Sequence, residues 1–445
     1  MNYIEALRYL MSLADFERTG RFADRKDVAP MKALLAELGD PHLGRVTVHI
    51  AGSKGKGSVA AMVESILRAA GLRTGLYTSP HLHRFPERIQ IDGAPVTNDE
   101  FCGGLDEVRS AVERVQPRLP ERQLLTFDAV TALGFLLFRA KEVEVQVIEV
   151  GLGGLLDSTN VFESKECSVI TNIGLEHREI LGDTIAAIAR QKAGIIVPGC
   201  PVIMAPQRES AAEVIREVAR EKGAPLTEVA LVCNLRRDSA GSETQTFRLR
   251  TPDGGYQAKL PLLGKHQLDN AATAVVAVEA LAKAGVKVDA ATVKAGLESV
   301  KWPARIEALK RRPLVIVDAA HTADSARRLR DTLAEYFHVD QATLVIGAMG
   351  DKDIESVAMA VEPVARRVIA TRADHPRALD PEAIARLFRD LGIETITERS
   401  VGAAIDTALS LSTPSEAVVI LGSVALAGEA RAHILGLERD PPVQT

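Results

Sequence analysis

A glycine-rich stretch near the start of the chain has the residue types that bind phosphate groups. Residues 49–58 read HIAGSKGKGS. The glycines let backbone N–H groups face an anion, and Lys56 can neutralise β- and γ-phosphates. The usual loop is G-x-x-x-x-G-K-[ST], whereas here Gly57 separates Lys56 from Ser58. A glycine-rich turn without a ligand is the structural alternative, but the lysine and the hydroxyl favour a nucleotide site.

Three further polar side chains lie at or just after candidate strands and turns. Glu149 ends the apolar run 144–150, and Ser79 and His177 lie in or just after turns, where α/β enzymes place ligand groups. A hydroxyl, a carboxylate and an imidazole suit a divalent ion that also takes phosphate oxygens and water. Taken alone, His177 is better explained as a helix cap or a buried histidine. Glu149 needs a partner, because a buried unpaired carboxylate is costly.

The segments that flank the loop give it the position that a phosphate site requires. Residues 45–51 are short and rich in β-branched residues, which predicts a buried strand. From Ser58 the apolar residues follow helical spacing up to Gly71, which predicts a helix that stops there. The loop is therefore expected between a strand and a helix, whose N-terminus adds favourable partial charge.

The loop and several later blocks together resemble one enzyme family. The spacing G-x-x-G-K-G-[ST] is similar to the loop of folylpolyglutamate synthases and dihydrofolate synthases, which are ATP-dependent amide ligases of the Mur ligase superfamily. Further blocks resemble this family's motifs and follow its order: GLYTSPHLHRFPERIQIDG (75–93), IEVGLGGLLDSTNV (148–161), ITNIGLEHREILGDTIAAIARQKAGIIVPG (170–199), GKHQLDNAATAVVA (264–277), WPARIE (302–307) and VDAAHTADSA (317–326). The resemblance implies an enzyme that joins glutamate to a folate, or to dihydropteroate, through an acyl phosphate.

The resemblance also implies a metal centre and a modified lysine. Ser79, Glu149 and His177 would bind two magnesium ions, with Glu149 shared between them. Lys192 matches a lysine that is carbamylated in the family, so that a cation becomes an anionic metal ligand. Without the resemblance, Lys192 would be a solvated lysine or a partner for a helix dipole.

Contacts to the nucleotide and the substrates follow from the same resemblance. ATP would be bound by Gly52, Gly55, Lys56, Gly57, Ser58, Asn270, Arg305 and Asp318. Catalytic roles fall to Lys56, Lys192 and His321, and substrate binding falls to Pro80, His81, Phe127, Asp128 and Asp157. If the last nucleotide residues belong to a second domain, ATP lies between domains, and closure excludes water from the intermediate.

The chain departs from the family pattern at several positions. Lys54 stands where the family often has asparagine, and Leu155 replaces the arginine of G-G-R-L-D. The family's D-G-A-H-N-P reads DAAHTA from Asp318 onward. Residues 23–40 do not clearly show the D-L-G-L-like segment that helps bifunctional members to hold dihydropteroate. We therefore expect glutamate extension of folates more than dihydrofolate synthesis.

Apolar runs alternate with helical patterns, which predicts a parallel sheet covered by helices. Strands are expected at 45–51, 144–150, 167–173, 200–205, 313–319, 342–348, 367–371 and 416–422, with helices at 183–194, 208–222, 266–285, 323–336 and 402–411. Region 228–260 is expected to form short antiparallel strands that interrupt the parallel pattern. The fold class is α/β: a P-loop NTPase-like parallel sheet with helices in an ATP-binding domain of residues 1–300, and a smaller Rossmann-like α/β ligase domain of residues 301–445.

Composition narrows the classes of partner. The chain of 445 residues has a formal net charge of −5, with 46% hydrophobic residues and four cysteines. This charge gives no electrostatic footprint for nucleic acid, and no apolar run is long enough to span a membrane. We expect a cytoplasmic monomer that acts on small molecules. Two other functions stay open: a Mur-type ligase for a cell-wall precursor, and a P-loop ATPase switch that performs no ligation.

Overall fold

The computed structural model describes residues 1–14, 27–119 and 123–441. Part of the segment 23–40 discussed above lies outside these ranges. Within them the chain forms an eight-stranded, a three-stranded and a six-stranded sheet. No helix in the described ranges combines the length and the apolar character that a membrane span needs.

The first sheet is parallel except at one edge. Its strands are β1 Val46–Ala51, β2 Thr74–Tyr77, β3 Ile89–Ile91, β4 Ala94–Pro95, β5 Val145–Glu149, β6 Cys167–Ile170, β7 Val202–Met204 and β8 Leu226–Glu228. Their order is β4-β3-β2-β5-β1-β6-β7-β8, and only the pairings of β3 with β2 and β4 are antiparallel. The loop before Lys56 therefore follows β1, which is near the middle of the sheet.

Helices cover both faces of this sheet. They are α1 Tyr3–Ser12, α2 Ala29–Glu37, α3 Lys56–Ala69, α4 Asn98–Val115, α5 Thr126–Ala140, α6 Arg178–Leu181, α7 Ile185–Ala193, α8 Glu209–Glu221, α9 Val229–Val232, α10 Lys265–Lys283 and α11 Ala290–Ser299. Short 3₁₀ turns lie at Phe85–Arg88 and Gln116–Arg118. Val48 and Ile50 of β1 pack with Met62 of α3 in one fully buried core. Each such side chain contributes about 1.5–3 kcal/mol by leaving water.

A small antiparallel sheet follows, as the sequence predicts for region 228–260. It consists of β9 Asn234–Ala240, β10 Gln245–Arg250 and β11 Gly255–Leu260. Phe247 and Leu260 are fully buried in the same core as α10. This sheet therefore extends the first domain and forms no core of its own.

The second large sheet is parallel apart from its first strand. The strands are β12 Glu307–Arg311, β13 Leu314–Val317, β14 Ala342–Ile346, β15 Ala365–Ala370, β16 Glu394–Thr397 and β17 Ala417–Leu421. Their order is β12-β13-β17-β14-β15-β16. The helices are α12 Ala323–Phe337, α13 Ile354–Val361, α14 Pro381–Asp390, α15 Val401–Ser410 and α16 Val424–Leu435, with a 3₁₀ turn at Glu362–Val364.

The predicted fold class is confirmed, since each strand and helix expected above forms within a few residues of its predicted bounds. The division at residue 300 stays a prediction. No sequence pattern predicted β2, the β3–β4 hairpin, α4 or α5. Strands β3 and β4 have three and two residues, too few to establish a periodicity.

Candidate active site

The phosphate-type loop is fixed between β1 and the end of β6. Gly55 has φ +91° at the residue before α3, a conformation that favours glycine. The backbone N–H groups of Ser53 and Lys54 both donate to the carbonyl of Asn172 at 3.0 Å. A Cβ on Gly52 would lie 1.8 Å from Thr171 Oγ1. The loop is therefore held close to its neighbour and presents the N-terminus of α3, which attracts anions.

Two side chains from distant segments lie against this loop. A Cβ on Gly55 would lie 2.4 Å from Asn270 Oδ1, and one on Gly57 would lie 2.7 Å from the Trp302 ring. The Asn270 amide donates to Gln267 Oε1 at 2.9 Å. Asn270, which the sequence analysis placed near the nucleotide, is thus brought to the loop. Trp302 was not among the predicted site residues.

Substituting Gly57 with alanine is expected to weaken ADP binding by about tenfold, since overpacking costs roughly 1–3 kcal/mol. The added methyl group would push Trp302 away from the loop. Fluorescence of Trp302, the single tryptophan of the chain, can follow an ADP titration. Gly103→Ala in α4 is the matched control, because no atom lies within 4 Å of the Cβ it would add. Unchanged ADP affinity in Gly57→Ala would contradict the contact's role.

Glu149 is a buried carboxylate at the carboxyl end of β5. Its Oε1 lies 3.9 Å from Lys56 Nζ, and its Oε2 accepts from the Ser79 backbone N–H at 3.4 Å. Burial raises the pKa of Glu149, although the charges of Lys56 and Arg305 oppose this shift. The structure therefore brings together Lys56, Ser79 and Glu149, as the sequence suggested.

Glu176 is the functional candidate that the sequence analysis missed. Its carboxylate pairs with Lys192 Nζ at 2.9 Å and with Lys54 Nζ at 3.5 Å. Lys192 also donates to the Gly52 carbonyl at 2.8 Å. Burial opposes ionisation of Glu176, yet the neighbouring lysines hold its pKa well below the usual range. One partner did carry a signal, because Lys54 stands where the family often has asparagine.

Lys192 is buried, with a side chain that is 2% exposed. Burial lowers the pKa of Lys192 to about 8, although the charge of Glu176 opposes this shift. An appreciable fraction of Lys192 is therefore the neutral amine near neutral pH, which is the nucleophilic form.

Two histidines lie close enough to Lys54, Glu176 or Lys192 to interact with their charges. His177 precedes α6 with φ 46°, and burial lowers its pKa to about 4. His321 follows β13 of the other large sheet, and its Nδ1 lies 2.9 Å from the Ala319 carbonyl. Burial first, and then the charge of Lys54, lower the pKa of His321 to about 3. Both rings are therefore neutral near neutral pH, and His321 approaches the phosphate-type loop from the second sheet.

Asp318 directly follows β13 and interacts with the charge of Arg305. Asp318 is buried and accepts backbone N–H groups of Ile306 at 2.9 Å and Ala320 at 2.8 Å. Burial raises its pKa, while the guanidinium of Arg305 opposes the shift. The same guanidinium acts on Glu149. Arg305 is thus placed between the carboxylates of both domains.

Two of the residues predicted to bind substrate are engaged in the protein's own structure. Asp128 is fully buried and accepts from Leu125 N–H at 2.9 Å and from Ser158 Oγ at 2.8 Å. Asp157 accepts from the backbone N–H groups of Leu152 and Thr159. These contacts shape the loop after β5.

The other three predicted substrate residues lie closer to the surface. Pro80 is exposed, and His81 Nδ1 accepts from Arg88 Nε at 2.9 Å. Phe127 is partly buried against Tyr77, with ring centroids 6.1 Å apart. Their roles in substrate binding stay predictions.

A buried chain of polar groups supports the loop after β5. Asp157 accepts from Thr159 Oγ1, which contacts His49 Nε2 at 2.8 Å. His49 Nδ1 in turn lies 2.8 Å from Lys165 Nζ, which donates to the Ile195 carbonyl at 2.6 Å. This chain joins β1, the loop after β5 and the segment that follows Lys192.

The titration of Lys165 should be visible in stability. Burial lowers its pKa from 10.5 to about 7, so the unfolded state binds more protons between these values. The free energy of unfolding should therefore rise with pH above about 7, by about 1 kcal/mol per pH unit from this group. Urea unfolding at several pH values should show this rise reduced in Lys165→Met and kept in Lys222→Met, which changes an exposed lysine. Equal slopes in the two variants would contradict this account.

Comparison with known proteins identifies the class. Residues 50–278 match the Mur ligase middle domain, and residues 304–424 match the Mur ligase glutamate ligase domain. The folylpolyglutamate synthase of Lacticaseibacillus casei is 34% identical over 442 residues, which cover 98% of this chain and 99% of that protein. A crystal structure of the Mycobacterium tuberculosis folylpolyglutamate synthase complexed with ADP and AMPPCP superposes with a TM-score of 0.89, at 34% identity over 99% of this chain and 100% of that one.

The fold and these matches define an ATP-dependent ligase of the Mur type. Within this class the chain belongs to the folylpolyglutamate synthase/dihydrofolate synthase family. It is also 35% identical to a probable bifunctional folylpolyglutamate synthase/dihydropteroate synthase of Haloferax volcanii, over 97% of this chain. The chain spans 50% of that relative's length.

Proposed function

We propose that this ligase adds L-glutamate to the glutamyl carboxylate of a folate, with dihydropteroate as a second acceptor. The observation that carries the proposal is that Lys56 lies 3.9 Å from Glu149, while Arg305 and His321, which belong to the second large sheet and its approach, are close enough to interact with the charges of Glu149 and Lys54. An acid can be phosphorylated there by ATP and then captured by an amine while water is kept out. Family membership supports folate as the acid and glutamate as the amine.

The chain's own groups can be assigned to steps of this reaction. The N-terminus of α3 and Lys56 bind the β- and γ-phosphates, so that the acceptor carboxylate attacks the γ-phosphate and forms an acyl phosphate. The amine of glutamate then attacks the acyl carbon, and phosphate leaves. Arg305 offsets charge on the phosphates from the side of the second domain. His321 is neutral near Lys54, so its ring can orient the attacking amine by a hydrogen bond, and the proton of the amine leaves with the departing phosphate.

The residues at the end of β5 fit magnesium. Among the described residues no group of three or more histidine, cysteine or acidic side chains could hold a metal by itself. Magnesium is commonly bound by one or two carboxylates together with substrate phosphates and waters, and Glu149 is a buried carboxylate beside the phosphate-type loop. Ser79 and His177 would complete the protein's share. The metal would supply charge neutralisation for the γ-phosphate and its attacking oxygen.

Carbamylation of Lys192 is part of the proposal. The neutral amine reacts with carbon dioxide, and the lowered pKa of Lys192 makes that form accessible. A carbamate would replace the ammonium beside Glu176, and Lys54, 3.5 Å from Glu176, is placed to balance the added negative charge. Lys54 thus acquires a function that asparagine could not perform.

We also propose that the enzyme is a cytoplasmic monomer that binds neither nucleic acid nor membranes. The four cysteines are free, as expected of a reducing compartment. The formal net charge of −5 offers no general attraction to nucleic acid.

The test is an assay of ADP formation with purified protein, ATP, magnesium and glutamate. Either tetrahydrofolate or dihydropteroate is added as acceptor, and mass spectrometry of the pterin product detects the added glutamyl group. ADP should form only when acceptor and glutamate are both present. ATP turnover without an acceptor would favour a non-ligating ATPase, and turnover with a nucleotide-linked amino acid precursor alone would favour a cell-wall ligase.

A further inference from the structure

The loop that follows Ser79 is held by the second domain as well as by its own sheet. Residues 82–88 form this docking loop, which begins five residues after β2 and includes the 3₁₀ turn Phe85–Arg88. Leu82 packs into a core formed by residues of the second large sheet and its helices. A Cβ on Gly428 of α16 would lie 2.1 Å from the Leu82 carbonyl oxygen. The helix and the docking loop can approach this closely only because that residue is glycine.

One arginine joins the docking loop to the start of β12. Arg431 of α16 is 8% exposed. It donates from Nη1 to His83 Nε2 at 3.0 Å, and from Nε and Nη2 to the Glu307 carboxylate at 2.7 and 3.1 Å. Arginine has no acceptor, so His83 Nε2 accepts, and the ring proton lies on Nδ1, which is 2.8 Å from Glu87. Glu307 also accepts from the Ala304 N–H at 2.8 Å.

The docking loop is held by hydrogen bonds within the loop and by others from the C-terminal segment. Glu87 accepts from the backbone N–H groups of Leu82 and His83. Asp440 accepts from the Phe85 N–H at 3.0 Å, and its own N–H donates to the His83 carbonyl at 2.9 Å. Because these bonds tie residues 82–87 together, we expect loss of the Arg431 contact to shift the segment that leads back to Ser79.

We propose that Arg431 is a positioning residue for the metal–nucleotide site. By holding the docking loop and Glu307 at once, it sets Ser79 of the first domain against Arg305, two residues before Glu307. The inference rests on the proposed function, because the position of Ser79 matters for catalysis only if a metal binds there. Arg431 acts through its neighbours and contacts no substrate.

Two variants disturb the same contact by different physical means. Arg431→Met removes the hydrogen bonds to His83 and Glu307 and keeps an apolar stem. Gly428→Ala leaves every charge in place and forces the docking loop away from α16. Arg431→Lys keeps the charge but cannot reach both partners with a planar fork. Arg389→Met is the matched control, because Arg389 pairs with Glu382 on the exposed surface of the same domain.

The experiment measures Mn²⁺ binding in the presence of ADP. Electron paramagnetic resonance detects the bound Mn²⁺, and neither acceptor nor glutamate is added. Loss of a residue that orients metal ligands typically costs about tenfold in metal affinity, and we expect this for Arg431→Met and Gly428→Ala. Arg431→Lys should lie between them and the wild type, and Arg389→Met should equal the wild type. Hydrogen exchange at residues 82–88 should rise in the same variants, which shows that the loop has left α16.

The proposal would be overturned by a variant in which hydrogen exchange of the docking loop is faster than in the wild type but the affinity for Mn²⁺ is unchanged. If Arg431→Met fails to fold, Gly428→Ala and Arg431→Lys decide by the same criterion. A wild-type protein that binds ADP but no Mn²⁺ would contradict the metal site of the proposed function, and with it the positioning role. A wild-type protein that binds both ligands but forms no glutamylated product would contradict only the folate reaction.

Discussion

Glu149→Gln is expected to lower the rate of ADP formation by on the order of 10³-fold without lowering the melting temperature. A metal that neutralises phosphate charge contributes several kcal/mol to the transition state, and each 1.36 kcal/mol is about tenfold in rate. The ionised carboxylate is disfavoured by its burial, which raises its pKa. Replacing it with a neutral group of the same shape removes that cost, so the fold should be as stable or more stable in the absence of metal.

The control for this prediction is Glu144→Gln. Glu144 directly precedes β5 at the other end of the strand from Glu149, is exposed, and accepts from the Arg73 N–H at 2.7 Å. Activity and melting temperature of both variants can be measured with and without magnesium and ADP. Ligand should stabilise the wild type and Glu144→Gln against heat, and it should stabilise Glu149→Gln less. A rate near that of the wild type in Glu149→Gln would exclude its metal role.

The sequence predicted those parts of the site that lie at the ends of long apolar strands. Lys56 and Glu149 follow or end β1 and β5, whose buried residues give a clear pattern. Glu176 escaped because its importance arises from partners at 54 and 192, and spacing along the chain carries no information about such a meeting. The same holds for His83 and Arg431, which are 348 positions apart and meet only when both domains have folded.

The two carboxylates of the site differ because their neighbours differ. Glu149 lies 3.9 Å from one ammonium group, and burial prevails, which raises its pKa. Glu176 contacts Lys192 and Lys54 at shorter distances, and there the positive charges prevail over burial. The charge of the first carboxylate is therefore only partly compensated by the protein, which fits the proposed metal site, whereas the second already has cations of its own.

Lys192 should be the second position at which activity collapses, and its variants can separate two roles. If the ammonium is needed, Lys192→Arg keeps the charge and should retain part of the activity. If the carbamate is needed, Lys192→Arg should be as inactive as Lys192→Met, about 10³-fold below the wild type by the same several kcal/mol of lost charge stabilisation. We expect the second result, since burial lowers the pKa of Lys192 to about 8 and exposes its neutral amine to carbon dioxide.

Carbon dioxide itself provides the direct measurement. Wild-type enzyme assayed in buffer stripped of carbon dioxide should lose activity and regain it on addition of bicarbonate, and Lys192→Ala should be partly rescued by a short carboxylic acid that fills the vacated space. Lys165→Met is the matched control: Lys165 is also buried, also donates to a backbone carbonyl, and has a pKa near 7, but it lies beneath the loop after β5. Its variant should respond to bicarbonate as the wild type does. Equal wild-type rates with and without carbon dioxide would show that the ammonium paired with Glu176 is the working form of Lys192.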